Sequence, residues 1–227
     1  MAVSALALAT AGANASNFDG FNVGIRANYD MYSKDINTPE TNLVNDFKVK
    51  SKGVSGDLVF GYMGNISDDF VLGAELYAGL SSAKGDEKGF VNKANVEDYL
   101  GKSLPKGSQD NASIKAKYQV GFDVLAGYEF VPNILGYVST GIAATQMEYS
   151  AFVKADGFNK SAKKDVYMPE ASIGLGVKAF YESFIFTLGY KYSQELIDVK
   201  VDVETIEEMK IEKGKKHTVT AGVSYVF

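Results

Sequence analysis

The stretch IKAKYQVGFDVLAGYEF, residues 114–130, carries the reading of the fold. Its even positions hold Ile114, Ala116, Tyr118, Val120, Phe122, Val124, Ala126, Tyr128 and Phe130, and its odd positions, apart from Leu125, hold Lys115, Lys117, Gln119, Gly121, Asp123, Gly127 and Glu129. Successive side chains of a β-strand point to opposite faces, so the split predicts a strand with one apolar and one polar face. It is also longer than an ordinary soluble strand of about 5–6 residues. A half-exposed soluble sheet alternates too, so the count along the chain decides.

Toward the N-terminus, Phe21, Val23, Ile25, Ala27, Tyr29 and Met31 oppose Asn22, Gly24, Arg26, Asn28 and Asp30. Val54, Leu58, Phe60 and Tyr62 oppose Ser55, Asp57 and Gly61. Phe70, Leu72, Ala74, Leu76, Ala78 and Leu80 oppose Gly73, Glu75, Tyr77, Gly79 and Ser81, with Val71 the exception. After residue 130 the split is weak over 135–149, where Gln146 and Glu148 share a face. It returns with Ala171, Ile173, Leu175, Val177 and Ala179 against Ser172, Gly174, Gly176 and Lys178, and again with Phe184, Phe186, Leu188, Tyr190 and Tyr192 against Thr187, Gly189, Lys191 and Ser193. The last segment sets Val219, Ala221, Val223, Tyr225 and Phe227 against Thr218, Thr220, Gly222 and Ser224.

Eight segments of about ten or more residues match the length and dyad pattern of membrane-spanning strands. Their links alternate between short turns near 64–68, 131–133 and 181–183 and long connections near 32–48, 82–112, 150–167 and 194–216. That asymmetry predicts an all-β, eight-stranded antiparallel up-and-down transmembrane β-barrel, with short periplasmic turns and long extracellular loops. Closure also satisfies every ladder hydrogen bond in hydrocarbon, which an open sheet does not. Phe21, Tyr62, Phe70, Phe130, Tyr137, Phe184 and Phe227 lie near the short-turn end, and Tyr29, Tyr118, Tyr149 and Tyr192 near the other, so two interfacial aromatic girdles are expected.

Composition narrows the function. With 23 Lys and Arg against 28 Asp and Glu, the net charge is −5, and no nucleic-acid partner is expected. The absence of cysteine removes thiolate metal sites and cysteine nucleophiles. Residues 1–15, MAVSALALATAGANA, are uncharged and apolar but shorter than the ~18 residues of a spanning helix. They read as an export signal, with Ala13 and Ala15 at the −3 and −1 positions of the cleavage site and Ser16 as the first mature residue. The basic n-region is missing: either the chain starts late or the signal is atypical. Residues 16–227 form the barrel in this division.

The segments GAELYAGL from Gly73, FTLGYKYS from Phe186 and above all HTVTAGVSYVF from His217 resemble the eight-stranded outer-membrane barrels of the opacity-protein and OmpA transmembrane-domain type. Val223, Tyr225 and Phe227 resemble the C-terminal signal read by the barrel-assembly machinery. The resemblance implies residence in the bacterial outer membrane, contact with its lipid, and a surface-exposed adhesin, surface antigen or envelope structural protein. Its loops would then meet a host or envelope protein. A monomer is expected, without cofactor or metal. A peptidoglycan-binding anchor is not carried over.

On the polar face, Arg26, Asp57, Glu75, Asp123 and Lys191 lie about five to eight residues from the short-turn end of their strands, so at ~3.3 Å per residue they predict one ionic layer in the lumen. An eight-stranded barrel has an interior just wide enough for side chains to fill, which favours a locked lumen over a wide channel. A narrow pore for small solutes is the rival. The long loops offer a short helix within 90–105, capped by Asn95. The last one alternates out of phase with Tyr190 and Tyr192, which a bulge near 193–196 reconciles. His217 is the only histidine, and the adjoining Thr218 points the opposite way, so no catalysis is expected; a lipid-modifying enzyme is the distant alternative.

Overall fold

The computed structural model describes residues 17–37, 47–67, 69–88, 109–155, 158–203, 206–211 and 213–227. The expected signal segment with its cleavage site, and the helix expected within 90–105, lie outside the described residues.

Eleven strands follow in order: β1 (Gly20–Asn37), β2 (Phe47–Ser67), β3 (Phe70–Ser81), β4 (Lys84–Lys88), β5 (Gln109–Val131), β6 (Ile134–Ala155), β7 (Phe158–Tyr181), β8 (Phe184–Glu195), β9 (Val199–Val203), β10 (Ile206–Ile211) and β11 (Lys215–Val226). All pairings are antiparallel, and β11 returns to β1 from Asn22↔Val226 to Ser33↔Lys215. The ring therefore closes with eight walls, β3 and β4 sharing one. Two-residue turns at Pro132–Asn133 and Glu182–Ser183 join β5 to β6 and β7 to β8. Asn133 and Glu182 take the left-handed backbone at φ 69° and 58°, a conformation Asn tolerates better than most residues. Both ends of the described chain meet beside these turns, where the Phe227 amide donates to the Phe21 carbonyl at 2.9 Å.

The walls are longer than a membrane needs. β2, β5, β6 and β7 have 21 to 24 residues, against about 9–11 for a tilted spanning strand. Much of what the spacing read as long loops is wall, which continues above the bilayer.

In the lower part the expected facing holds along β1, β2, β3, β7, β8 and β11: apolar side chains such as Leu58, Leu80, Ile173 and Leu188 are exposed, while Asn22, Asp57, Glu75 and Lys178 are buried. β5 departs from it. A register irregularity between Ala116 and Gln119 turns Lys117 and Tyr118 outward together, so that Ile114 and Ala116 face inward, 3% and 1% exposed, and Lys115 faces outward. The nearly regular alternation of residues 114–130 conceals a β-bulge, because the inserted residue leaves the strand's sequence pattern intact while rotating everything beyond it.

Two girdle assignments are also corrected. Tyr137 points into the lumen under Lys178, and Tyr149 is buried beside Lys34. The lower girdle consists of Phe21 against Phe60 and Tyr62, Phe70 against Tyr128, and Phe184, Tyr225 and Phe227 in succession. The upper girdle contains Tyr118 with Tyr167, and Tyr190 and Tyr192 around His217. The expected bulge near 193–196 is instead a break. β8 stops at Glu195, Leu196 donates its amide to the Pro169 carbonyl, and β9 and β10 form a separate hairpin tied to the top of β1.

Candidate functional site

The lumen is the site that the sequence pointed to, and it is stratified. At the short-turn end, Phe18, Met63, Val71, Leu125, Leu135 and Ile185 form an apolar layer with Tyr137, Phe180 and Val226 packed on it. Val71, the exception in the β3 alternation, belongs to this layer. Burying these side chains next to the turns shuts the lower mouth with the same driving force that packs a soluble core.

Above it lies an ionic layer. Arg26 of β1 reaches Glu75 at 3.2 Å, Asp57 at 3.5 Å and Asp123 at 4.0 Å, and Lys191 of β8 pairs with Asp123. The structure thus brings all five expected residues into one connected group. It adds a sixth, Lys178 of β7, whose ammonium lies 2.7 Å from Glu75. Three cations and three carboxylates balance, which suits a region where an unpaired charge is expensive. Tyr77 lies between the cations, its ring centroid 4.4 Å from the Arg26 guanidinium and 4.7 Å from the Lys191 ammonium. Gly121 faces that ring, and a Cβ there would meet it at 2.3 Å, so glycine makes the room for the tyrosine.

Uncharged donors complete the layer. Asn28 and Gln119 each donate to Asp57 at 2.8 Å, Thr220 donates to Asn28 at 2.7 Å, and Ser55 and Thr218 donate to Asp30 at 2.6 and 2.7 Å. Among the described residues, Arg26, Glu75, Asp123 and Lys191 border a cavity of about 20 Å³. That is room for roughly one water, and two bordering residues carry polar atoms without a protein partner, Arg26 Nε and Asp123 Oδ1.

A second ionic level escaped the sequence reading. Lys34 pairs with Glu195 and Lys216 with Glu170, each at 2.5 Å, and Thr145 donates to Glu170 at 2.7 Å. Glu170, Glu195 and Lys216 lie where the spacing predicts strand ends and loops. Period-two counting from Ser172 to Glu170 and from Thr218 to Lys216 was the available signal. Beside this level, Tyr32, Val49, Ala83, Ile114, Ala116, Met147, Tyr149 and Met168 make a second apolar cluster that fills the upper barrel.

The outer face changes at the same height. Above Tyr118 and Tyr167, whose hydroxyls are 2.8 Å apart, Glu148 accepts from Lys117 at 2.7 Å and from Lys163 at 2.9 Å. Hydrogen bonds from these two ammonium groups, Lys117 first, hold the Glu148 carboxyl down at about 2. His217 sits on this outer face, with Nδ1 2.5 Å from the Tyr190 hydroxyl and its ring against Tyr192. Val223, Tyr225 and Phe227 project outward along β11 at the short-turn end, with Phe227 76% exposed.

Neither a protein-family model nor a curated protein sequence matches the chain. Solved structures are similar to it. Neisserial surface protein A aligns over 94% of this chain and 99% of its own at 14% identity and a TM-score of 0.44. Ail, the attachment invasion locus protein of Yersinia pestis, aligns over 91% and 99% at 12% identity and a TM-score of 0.36. The outer membrane protease OmpT from Escherichia coli aligns over 92% and 97% at 10% identity and a TM-score of 0.46. The class follows from the barrel's own geometry. With its closed ring of eight antiparallel walls, apolar outer band between two aromatic girdles and polar packed interior, the chain is in fold a small eight-stranded outer-membrane β-barrel.

Proposed function

We propose that this barrel is a surface-exposed adhesin, surface antigen or envelope structural protein that acts through the part projecting above the membrane, and that its lumen is filled and inert to transport. The observation that supports this reading is the stratified interior: two apolar clusters with ion pairs between them and a cavity of about 20 Å³. Among the described residues these apolar layers interrupt a polar path for a solute, and the ionic group of Arg26, Asp57, Glu75, Asp123, Lys191 and Lys178 then serves to hold strand register. His217, committed to Tyr190 and Tyr192 on the outer face, has no acid or nucleophile arranged around it among the described residues, which favours a non-enzymatic role.

Planar-bilayer recording on the refolded full chain tests the filled lumen, and little or no steady conductance is expected. Large, stable channels would promote the narrow pore. Adhesion of cells bearing the barrel to host-matrix proteins, with each link above the membrane shortened in turn, tests the surface role. Loss of binding with one particular link is expected, and binding indifferent to all of them would overturn it. Val223, Tyr225 and Phe227 are read as the assembly signal. Tyr225→Ser with Phe227→Ser should lower the yield of inserted barrel in cells while leaving refolding in vitro intact, and normal insertion would count against that role.

A further inference from the structure

On the outer wall just above the upper girdle, three lysines stand side by side. Lys52 of β2 is the direct cross-strand partner of Lys84 of β4, and Lys84 is the partner of Lys115 of β5. All three side chains are exposed on the outward face. Neighbouring strands are about 4.7–4.9 Å apart, so three ammonium groups arise within roughly 10 Å of wall. Like charges directly opposite one another destabilise a sheet. Lys84 has one carboxylate, Asp86 at 3.1 Å, while Lys52 and Lys115 have none within ion-pair distance among the described residues.

The same row differs farther around the ring. There Lys115 is followed by Glu148 and Asp165 as successive cross-strand partners, and these carboxylates hold Lys117 and Lys163. One sector of the wall is neutralised internally and the adjoining sector is left cationic. The height of that sector matters. Lys52 lies two residues above Val54, the partner of the girdle residue Tyr29, and Lys115 lies three residues above Tyr118. Directly above an aromatic girdle is the level of lipid headgroups, and a lysine stem can lie along apolar wall while its ammonium reaches that level.

We propose that Lys52, Lys84 and Lys115 form a docking row for the phosphate groups of an anionic lipid in the outer leaflet. The lipid's negative charge offsets the repulsion along the row, and the apolar wall below, with Val54 and Leu80 exposed, receives its acyl chains. The inference rests on the membrane placement of the barrel and is independent of the adhesive role.

The test uses the full chain refolded in neutral detergent and incubated with diphosphorylated lipid A or with its fully dephosphorylated form, bound lipid being counted by native mass spectrometry. The native barrel should retain the phosphorylated form and release the other. Each of Lys52→Gln, Lys84→Gln and Lys115→Gln should weaken retention by about fivefold, the contribution of one lysine beside a charged lipid surface. Lys163→Gln, in the neutralised sector where Glu148 keeps Lys117, should change it little. In neutral detergent without lipid, the triple glutamine variant should migrate as a folded barrel and unfold no earlier than the native protein, because it relieves like-charge contacts. Equal retention by the triple variant and the native protein would overturn the proposal. So would equal retention of both lipid forms.

Discussion

Below Tyr118, β5 turns Val120, Phe122 and Val124 outward and Gln119 and Asp123 inward; above it, the same strand turns Lys115 outward and buries Ile114 and Ala116. β2 makes the same exchange without a bulge, from Leu58 and Phe60 outside at the lower level to Lys48, Lys50 and Lys52 outside at the upper one, with Val49 buried. One continuous ring is thus a membrane protein in its lower half and resembles a water-soluble barrel in its upper half. Strand geometry is common to both. The surrounding medium differs: hydrocarbon rewards an apolar exterior, whereas water rewards an apolar interior and a charged exterior.

The largest expected effect lies in the lower half. Arg26→Ala leaves Asp57, Glu75 and Asp123 facing one another without their shared cation, and should lower unfolding stability by about 3–5 kcal/mol, less where lumen water relaxes the charge. Urea titration of the barrel in lipid vesicles checks it. Because Glu75 also holds Lys178, adding Glu75→Ala should recover little, whereas in the upper level Lys216→Met with Glu170→Gln should recover most of what Lys216→Met alone loses. A loss for Arg26→Ala near zero would mean that the ionic layer is solvated.

The next effect sets the halves against each other on one strand. Val120→Arg should cost about 2–4 kcal/mol near the bilayer midplane, while Lys115→Val should stay within about 0.5 kcal/mol. Equal effects in the same titration would remove the distinction between the two exteriors.

Smaller still is Ile114→Val, which deletes one methylene from the upper apolar cluster and should cost about 1 kcal/mol. An unchanged unfolding midpoint would place Ile114 at the surface, as a single alternation carried through residues 114–130 implies.

The smallest effect is the pH dependence that one carboxyl gives the upper half. The Glu148 carboxyl is held at about 2 in the folded barrel against an ordinary 4.5, by hydrogen bonds from Lys117 and then Lys163. A depressed carboxyl stabilises the fold above its unfolded value, and that contribution fades as pH falls from about 4.5 toward 2. Glu148→Gln should remove the slope in that window, seen as a smaller drop in unfolding midpoint between pH 5 and pH 3 than in the native protein, with both values outside the window unchanged in trend. Identical slopes would detach Glu148 from the upper wall's electrostatics.

The amino-acid sequence by itself determined the strands that cross the bilayer, their inward and outward faces and the closure into eight walls. Period two is a local property of extended backbone, and hydrocarbon imposes it on every lipid-facing residue. It also put Arg26, Asp57, Glu75, Asp123 and Lys191 on one face, since facing follows from parity alone. Tertiary structure decided what parity does not carry. The bulge between Ala116 and Gln119 shifts one residue against a partner strand and so exists only in the pairing with β6. Residues 135–149 read weakly because Leu135 and Met147 are apolar and inward while Gln146 and Glu148 are polar and outward, a pattern that resolves only when each height along the strand is matched to its own solvent. The pairs of Lys34 with Glu195 and Lys216 with Glu170, and the row of Lys52, Lys84 and Lys115, join residues up to 161 positions apart. Their meeting depends on strand register around a closed ring, which cross-strand hydrogen bonds fix and a linear pattern does not contain.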